Sequence, residues 1–562
     1  MINRFLRTVA VVAICALALG ALAGCSSQPS GTGGTTPPAA TGPVKGGTLT
    51  IGYEQEPQIL NSFITGGDMM ATKDVESNVL LGLIRIKPDF TYEPMLAESI
   101  PDVANGGVTE NPFTVTWKLK KNLMWSDGTP ITADDVKFTY DTIMNPKWQI
   151  LTKAGYEQIS KAEVIDPQTI KFTFKTPYGP YRELFSASYM ILPKHALEGQ
   201  DFNKVMNDTI PAASGPFMFK EWKKGDHITL VRNDKYAGTP ANLDTVVFKW
   251  VPDTNTEVAQ LKTGEVDAVN PSPDPALIAQ LKTAGTVQAD PGTLWEHLAF
   301  NMTKPDVSDL KVRQAIAYTI DRQKIVDEVM LGQVKPLQSI FVPEQTAEYS
   351  PDWAGYTPDK AKAQALLTSA GYKMGADGFF AKNGQKLTLE MKTTAGNTGR
   401  AKMFQIIQAQ LKDVGIDTKL VFEEANTFFG SSTPNGKFQV AEWCWLASPD
   451  PSVKTLFSAE QLPPLGQNYY RYKNADVTKW INEADNSVDM AKRADLSKQI
   501  SKQMAADLPV IPLYQRLSIL ATKDYVHEAK NNATLEGAFW NLSDWWMDAG
   551  SGSGSVAATT TP

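Results

Sequence analysis

Trp117-Lys-Leu-Lys-Lys-Asn-Leu-Met-Trp-Ser-Asp127-Gly128-Thr-Pro-Ile-Thr-Ala-Asp134-Asp135-Val136 reads as a strand end, a turn and the start of a helix. Just upstream, Phe113, Val115, Trp117 and Leu119 alternate with Thr114, Thr116 and Lys118, the period-two pattern of a half-buried strand. Asp127-Gly128 is turn chemistry. Thr132 follows, with Asp135 three residues on. That spacing lets two side chains cap the open amides of a helix start. Val136, Tyr140 and Ile143 then share one face, and Asn145-Pro146 ends the helix.

The same alternation of strand and helix continues outward. Ile170, Phe172 and Phe174 form another alternating strand. Val312, Ile316 and Ile320 line one helical face, as do Phe404, Ile407, Leu411 and Val414, with Gly415 as the stop. Thr357-Pro358 is expected to open a helix that Gly371 closes. Ile416, Thr418, Leu420 and Phe422 alternate as a strand. Helices that repeatedly follow strands imply α/β domains, and no internal repeat is visible.

The two ends of the chain differ from this body. Arg4 and Arg7 precede an apolar run, Thr8 to Ala23, of 16 residues, followed by Gly24-Cys25. A bilayer core needs about 20 apolar residues, so the run fits a cleaved export signal. Leu22-Ala23-Gly24-Cys25 resembles a bacterial lipobox, which makes residues 1–24 a lipoprotein signal peptide and Cys25 the lipid attachment site. Residues 25–45 are rich in Ser, Thr, Gly and Pro, and residues 549–562 have the same character. Neither can bury enough apolar surface to order itself, so a flexible tether and a disordered tail are expected. With Cys15 removed and Cys25 acylated, Cys444 is alone and no internal disulfide forms. The signal carries two Arg and no acid, so its removal takes the formal charge from −7 to −9. That balance argues against nucleic acid as a partner.

Catalytic motifs are missing. Of His195, His227, His297 and His527, no two sit at helical ligand spacing, and H-E-x-x-H, C-x-x-C and G-x-S-x-G do not occur. Gly430 to Lys437 resembles a phosphate loop but has five residues between its glycines, and Phe438 replaces the magnesium-binding hydroxyl. The expectation is a binding protein without catalysis, metal or cofactor.

The opening stretch closely resembles a signature of the family 5 extracellular solute-binding proteins. More of the family pattern follows in order: Ser214-Gly-Pro-Phe217, Arg232-Asn-Asp-Lys-Tyr236, Leu261-Lys-Thr-Gly264-Glu-Val-Asp267, Phe300-Asn301, Val312-Arg-Gln-Ala315, Ile320-Asp-Arg322, Ala370-Gly-Tyr372 and Asp450-Pro451. The resemblance runs from about Gly46 to Trp546. It implies an α/β fold of the type II periplasmic-binding-protein kind, cluster C-like, with two lobes, a hinge and an extra domain. Lobe I is placed at 46–87, 206–300 and 516–548, the extra domain at 88–205 and lobe II at 301–515. The implied role is capture of a peptide or similar-sized solute and delivery to the permease and ATPase subunits of an ABC importer. The protein is expected to act as a monomer outside the cytoplasm, lipid-anchored at the cell surface or in the periplasm. Rival readings are an oligosaccharide, nickel chelate or haem as ligand, or a surface sensor or adhesin.

The resemblance also directs attention to Ala441-Glu-Trp-Cys-Trp-Leu-Ala-Ser-Pro-Asp-Pro451, which faces the cleft in the family. Trp443 and Trp445 are two apart and point the same way on a strand. They are either an aromatic wall or core aromatics. Trp295, Glu296, Asn301, Phe429, Tyr470 and Asp450 complete the candidate ligand-binding residues. Peptide-binding members carry an Asp a few residues before Asp-Pro that pairs with the ligand's ammonium. Leu446, Ala447, Ser448 and Pro449 stand there instead. If Cys25 carries the lipid, Cys25→Ser yields protein that no longer sediments with membranes in a fractionation assay; continued sedimentation refutes the anchor.

Overall fold

The computed structural model describes residues 42–67 and 69–552. The signal peptide, Cys25, the tether through residue 41 and tail residues 553–562 lie outside the described residues. Within them, the opening stretch folds as its pattern implies. Phe113–Lys118 pairs antiparallel with Val108–Glu110 and Thr169–Phe174, and Ile159–Asp166 completes a four-stranded sheet. Helix Ala133–Met144 packs on that sheet. The Asp135 carboxylate accepts the Thr132 N–H at 2.8 Å on one oxygen and the Lys194 N–H at 3.0 Å on the other. One side chain therefore caps the helix and ties it to the segment leading into Lys194–Leu197.

Two elements differ from the sequence pattern. The helix expected to open at Pro358 begins two residues later, as Lys360–Ser369, because the Asp359 carboxylate accepts the Lys362 N–H at 2.9 Å and takes the cap position. Strand Asp417–Glu423 lies at the edge of its sheet, so Phe422, expected to face a core, is 43% exposed. Helix Thr398–Val414 ends as expected at Gly415. There φ is +101°, and a Cβ would meet the Gly378 carbonyl oxygen at 3.0 Å.

A ten-stranded sheet dominates the molecule. At one end Asp417–Glu423, Thr388–Thr394 and Val440–Leu446 run parallel. Towards the other, Ala268–Val269, Thr48–Tyr53 and Thr245–Trp250 also run parallel, with the hairpin His227–Arg232 and Phe217–Lys223 beyond them. Two long antiparallel strands, Thr286–Phe300 and Val510–Thr522, join these halves. Their ladder runs in register from Thr286↔Thr522 to Pro291↔Leu517, breaks, and resumes at Trp295↔Gln515. Pro291 has no N–H to give a ladder and Gly292 has no side chain to pack, so the break falls where pairing is weakest.

The buried apolar residues form two clusters. One gathers Leu49, Phe63, Trp117, Trp125, Phe248 and Trp545. The other gathers Leu298, Ile316, Trp353, Phe404, Trp443 and Ile519. Leu520 belongs to the first and Ile519 to the second, so strand Val510–Thr522 serves both cores from opposite faces. Among the described residues no helix is long and apolar enough to cross a membrane.

The first half of the molecule also buries acids. Glu257, on helix Thr254–Thr263, is fully buried with neither carboxyl oxygen hydrogen-bonded. Burial, and then the charge of Glu54, push its carboxyl from 4.5 up to about 9. The folded state thus keeps a proton that the unfolded chain releases near 4.5, and stability falls as pH rises from there towards 9. The slope from this one group is about 1.4 kcal/mol per pH unit. Glu257→Gln removes it. In melting curves the variant's advantage should grow from about pH 5 to pH 8; an advantage that does not change with pH refutes the assignment.

Candidate ligand-binding cleft

Beyond the register break, the two faces of the central sheet have opposite chemistry. Cross-strand pairs Trp295↔Trp445 and His297↔Trp443 put four rings on one face. Trp443 stacks on Tyr470 with centroids 5.7 Å apart and meets His297 edge-on at 4.9 Å. The Trp445 indole N–H donates to the Tyr470 hydroxyl at 2.6 Å, and that hydroxyl lies 2.8 Å from His297 Nε2. Burial pushes His297 down to about 3, so the ring is neutral and can accept a hydrogen bond from the tyrosine hydroxyl. Trp295, Trp443 and Tyr470 are buried in this cluster, whereas Trp445 is half-buried against Tyr469. Phe429 is 44% exposed and packs edge-on against Phe428.

The other face carries charge. Glu296, Glu442, Arg400 and Arg516 meet there. Arg400 spans both acids, reaching Glu296 at 3.0 Å and Glu442 at 3.1 Å, and also donates to the Thr394 hydroxyl at 2.8 Å. Arg516 holds Glu296 at 2.5 Å, and Thr393 donates to Glu442 at 2.7 Å. Burial alone would raise Glu296. A hydrogen bond from Glu442 and the two guanidiniums instead hold it down to about 2. Burial, together with the negative charge of Glu296, pushes Glu442 well up. The acid pair therefore holds one proton, with Glu442 donating to the Glu296 carboxylate.

This charged face is the floor of a cavity of about 530 Å³, lined by Glu296, Tyr514 and Arg516. Its walls are residues 272–276, 328–331, 396–400 and Lys402. The floor is formed by the two strands that join the halves of the sheet, next to the register break. Of the residues singled out from sequence, Glu296 reaches the cavity, and Trp295, Trp443, Trp445 and Tyr470 lie on the opposite face. Asp450 is buried elsewhere, 2.5 Å from Arg493, with its own N–H given to Glu183 at 3.1 Å. Asn301 is also buried and donates to the Gly436 carbonyl at 3.0 Å. Sequence reasoning missed Arg400, Glu442 and Arg516 as one group. A signal existed: Glu296, Glu442 and Arg516 each interrupt an apolar strand, which is costly unless charges meet.

A two-part α/β body with a cavity at the junction of its connecting strands offers a place to enclose a solute. The sequence profile described as bacterial extracellular solute-binding proteins, family 5 middle, matches residues 91–461, and the chain belongs to this family. It is 29% identical over 556 residues to the oligopeptide-binding protein AppA of Bacillus subtilis, covering 96% of this chain and 98% of AppA. It is 28% identical over 447 residues to the glutathione-binding protein GsiB of Salmonella typhimurium, covering 77% and 82% of the two chains. The solved structure of Bacillus subtilis AppA with a nonapeptide superposes with a TM-score of 0.71, covering 90% of this chain and all of that one. NikZ of Campylobacter jejuni with Ni(L-His), 25% identical, superposes at 0.72 over 89% of this chain and 99% of its own. The chain is therefore an extracellular solute-binding protein of the periplasmic-binding fold, a family of binders rather than enzymes.

Removing one partner from a buried charge group strands the others. Arg400→Met leaves Glu296 with one cation and Glu442 with none. Because Arg516 still balances Glu296, the expected loss is that of the severed buried hydrogen bonds, about 1–3 kcal/mol in urea or thermal unfolding. A loss below about 1 kcal/mol would show that the acids are solvated.

Proposed function

We propose that this chain is the solute receptor of an ABC importer, taking a peptide or a solute of similar size into the cleft and presenting it to a membrane permease and its ATPase. The observation that carries this reading is the cavity of about 530 Å³ on the strands that join the two cores, beside the break in their ladder. That volume lies within the roughly 300–1,000 Å³ of small-ligand sites. A solute touching residues 272–276 on one wall and 396–400 on the other would favour the conformation in which both walls approach, which is how ligand occupancy becomes a signal to a transporter. The names of AppA and GsiB support a peptide or peptide-like ligand. The lobe limits given above, a monomeric state and anchoring through Cys25 belong to the same proposal. A flexible tether of about 20 residues would have a root-mean-square reach of roughly 25 Å.

A second reading keeps the fold and changes the ligand to a non-peptide such as a metal chelate. Two observations favour it: the lack of a carboxylate at residues 446–449, and the Ni(L-His) complex of NikZ. Native mass spectrometry of the purified protein, followed by melting curves with peptide, sugar and chelate panels, separates the two. A peptide at 100 times its Kd should add about 2.7 kcal/mol of stability. Silence from every peptide, with a response to a chelate or sugar, rejects the peptide reading.

A further inference from the structure

The charged floor of the cavity does not balance. Arg400 and Arg516 supply two positive charges that cannot be neutralised by deprotonation. Facing them from the sheet are Glu296 and Glu442, which hold one proton between them. The floor therefore keeps one positive charge. Arg400 is 6% exposed and its guanidinium is held among Glu296, Glu442 and Thr394. The Nε and one Nη of Arg516 grip a single oxygen of Glu296, and its other Nη has no acceptor among the described residues. With 23% of its side chain exposed, Arg516 lines the cavity.

The remaining groups on the cavity wall do not cancel this charge at depth. Asp274 is exposed at the rim and accepts its own loop's Ala276 N–H at 2.8 Å. Glu328 is 43% exposed and pairs with Lys324 at 3.8 Å. Lys402 is exposed and gives its ammonium to the Glu328 carbonyl at 2.5 Å. The same wall includes the first turn of helix Thr398–Val414, where the Thr398 and Gly399 amides have no carbonyl one turn back to bond.

We propose that the cleft anchors its solute by a carboxylate, received by the free edge of the Arg516 guanidinium against Glu296. The solute is thus a peptide held by its C-terminus, or another small carboxylic acid, and not one held chiefly by an ammonium group. The planar guanidinium has two N–H groups on that Nη to offer a carboxylate oxygen, and the positive end of the helix adds to the attraction. The inference rests on the reading of this cavity as the solute site.

The test uses the purified protein and three random pentapeptide libraries: free C-termini, C-terminal amides, and N-acetylated free acids. Succinate serves as a non-peptide dicarboxylate. Bound species are identified by native mass spectrometry, and their Kd values are measured by calorimetry. Amidation should weaken binding by about tenfold or more, and N-acetylation by less than roughly twofold. Arg516→Gln should erase the difference between acid and amide, and Arg516→Lys should retain part of it. Equal binding of acids and amides, with loss on N-acetylation, overturns the proposal and leaves a peptide receptor in place. If no peptide is retained but succinate raises the melting temperature of the parent and not of Arg516→Gln, the carboxylate site stands and the peptide reading falls. No response to any probe overturns both. Should Arg516→Gln fail to fold, the comparison of acid and amide on the parent protein decides alone.

Discussion

One antiparallel ladder, between Thr286–Phe300 and Val510–Thr522, ties the two cores of the molecule together. The parallel strands on either side depend on it. Parallel strands need both faces covered and cannot be joined by tight turns, so each half of the sheet is built by helical crossovers within its own core. The chain then passes between cores along strands already paired with each other. The break at Pro291 to Trp295 is the one interruption in that passage that leaves several residues out of register. The cavity lies beside it.

The buried charges constrain the same ladder. Placing Glu296 and Glu442 in otherwise apolar strands costs several kcal/mol per ion unless Arg400 and Arg516 meet them. Side chains alternate along a strand, so a slip of one residue would carry Glu296 into the aromatic face and Trp295 onto the guanidiniums. Both outcomes are severely unfavourable. The charge group thus fixes the pairing of Glu296 with Cys444 and of His297 with Trp443. The aromatic face gains its order from this register, including the relay from Trp445 through Tyr470 to His297.

Local chemistry was legible in the sequence where it is settled within a few residues. The strand, turn and capped helix from Phe113 to Met144 follow from alternation, Asp-Gly and the Thr132–Asp135 box, and Gly415 marks a true helix end. Competition between neighbouring signals was less legible: Asp359 displaced Pro358 as the start of its helix because a carboxylate satisfies an amide that proline only tolerates. Periodicity placed Trp443 and Trp445 on one face but could not say which face meets the cavity, since that depends on what the neighbouring strands carry. Nor could spacing show which charges converge. Glu296 finds Arg400 and Arg516 across 104 and 220 residues, distances over which a single sequence holds no pairing information.

Asp450 shows how position in a motif and chemical role come apart. Its carboxylate is taken by Arg493, and its backbone N–H reaches Glu183, whose own carboxyl is raised to about 7 by burial. Nearby, the Gly179 N–H donates to the Asp485 carbonyl at 2.6 Å, and Val488 packs against the first core. Segment 178–183 belongs with the first core, and residues 457–500 supply side chains to the second. The cores therefore touch in a second place, away from the ladder. That contact includes these hydrogen bonds, Arg182 Nη1 against Met490 Sδ at 3.2 Å and the Val488 side chain, whereas the ladder spans both cores and shifts register once more between Glu296 and His297. Each hydrogen bond contributes about 1 kcal/mol net, because water replaces it on separation. Asp450 thus holds part of this second contact between the cores.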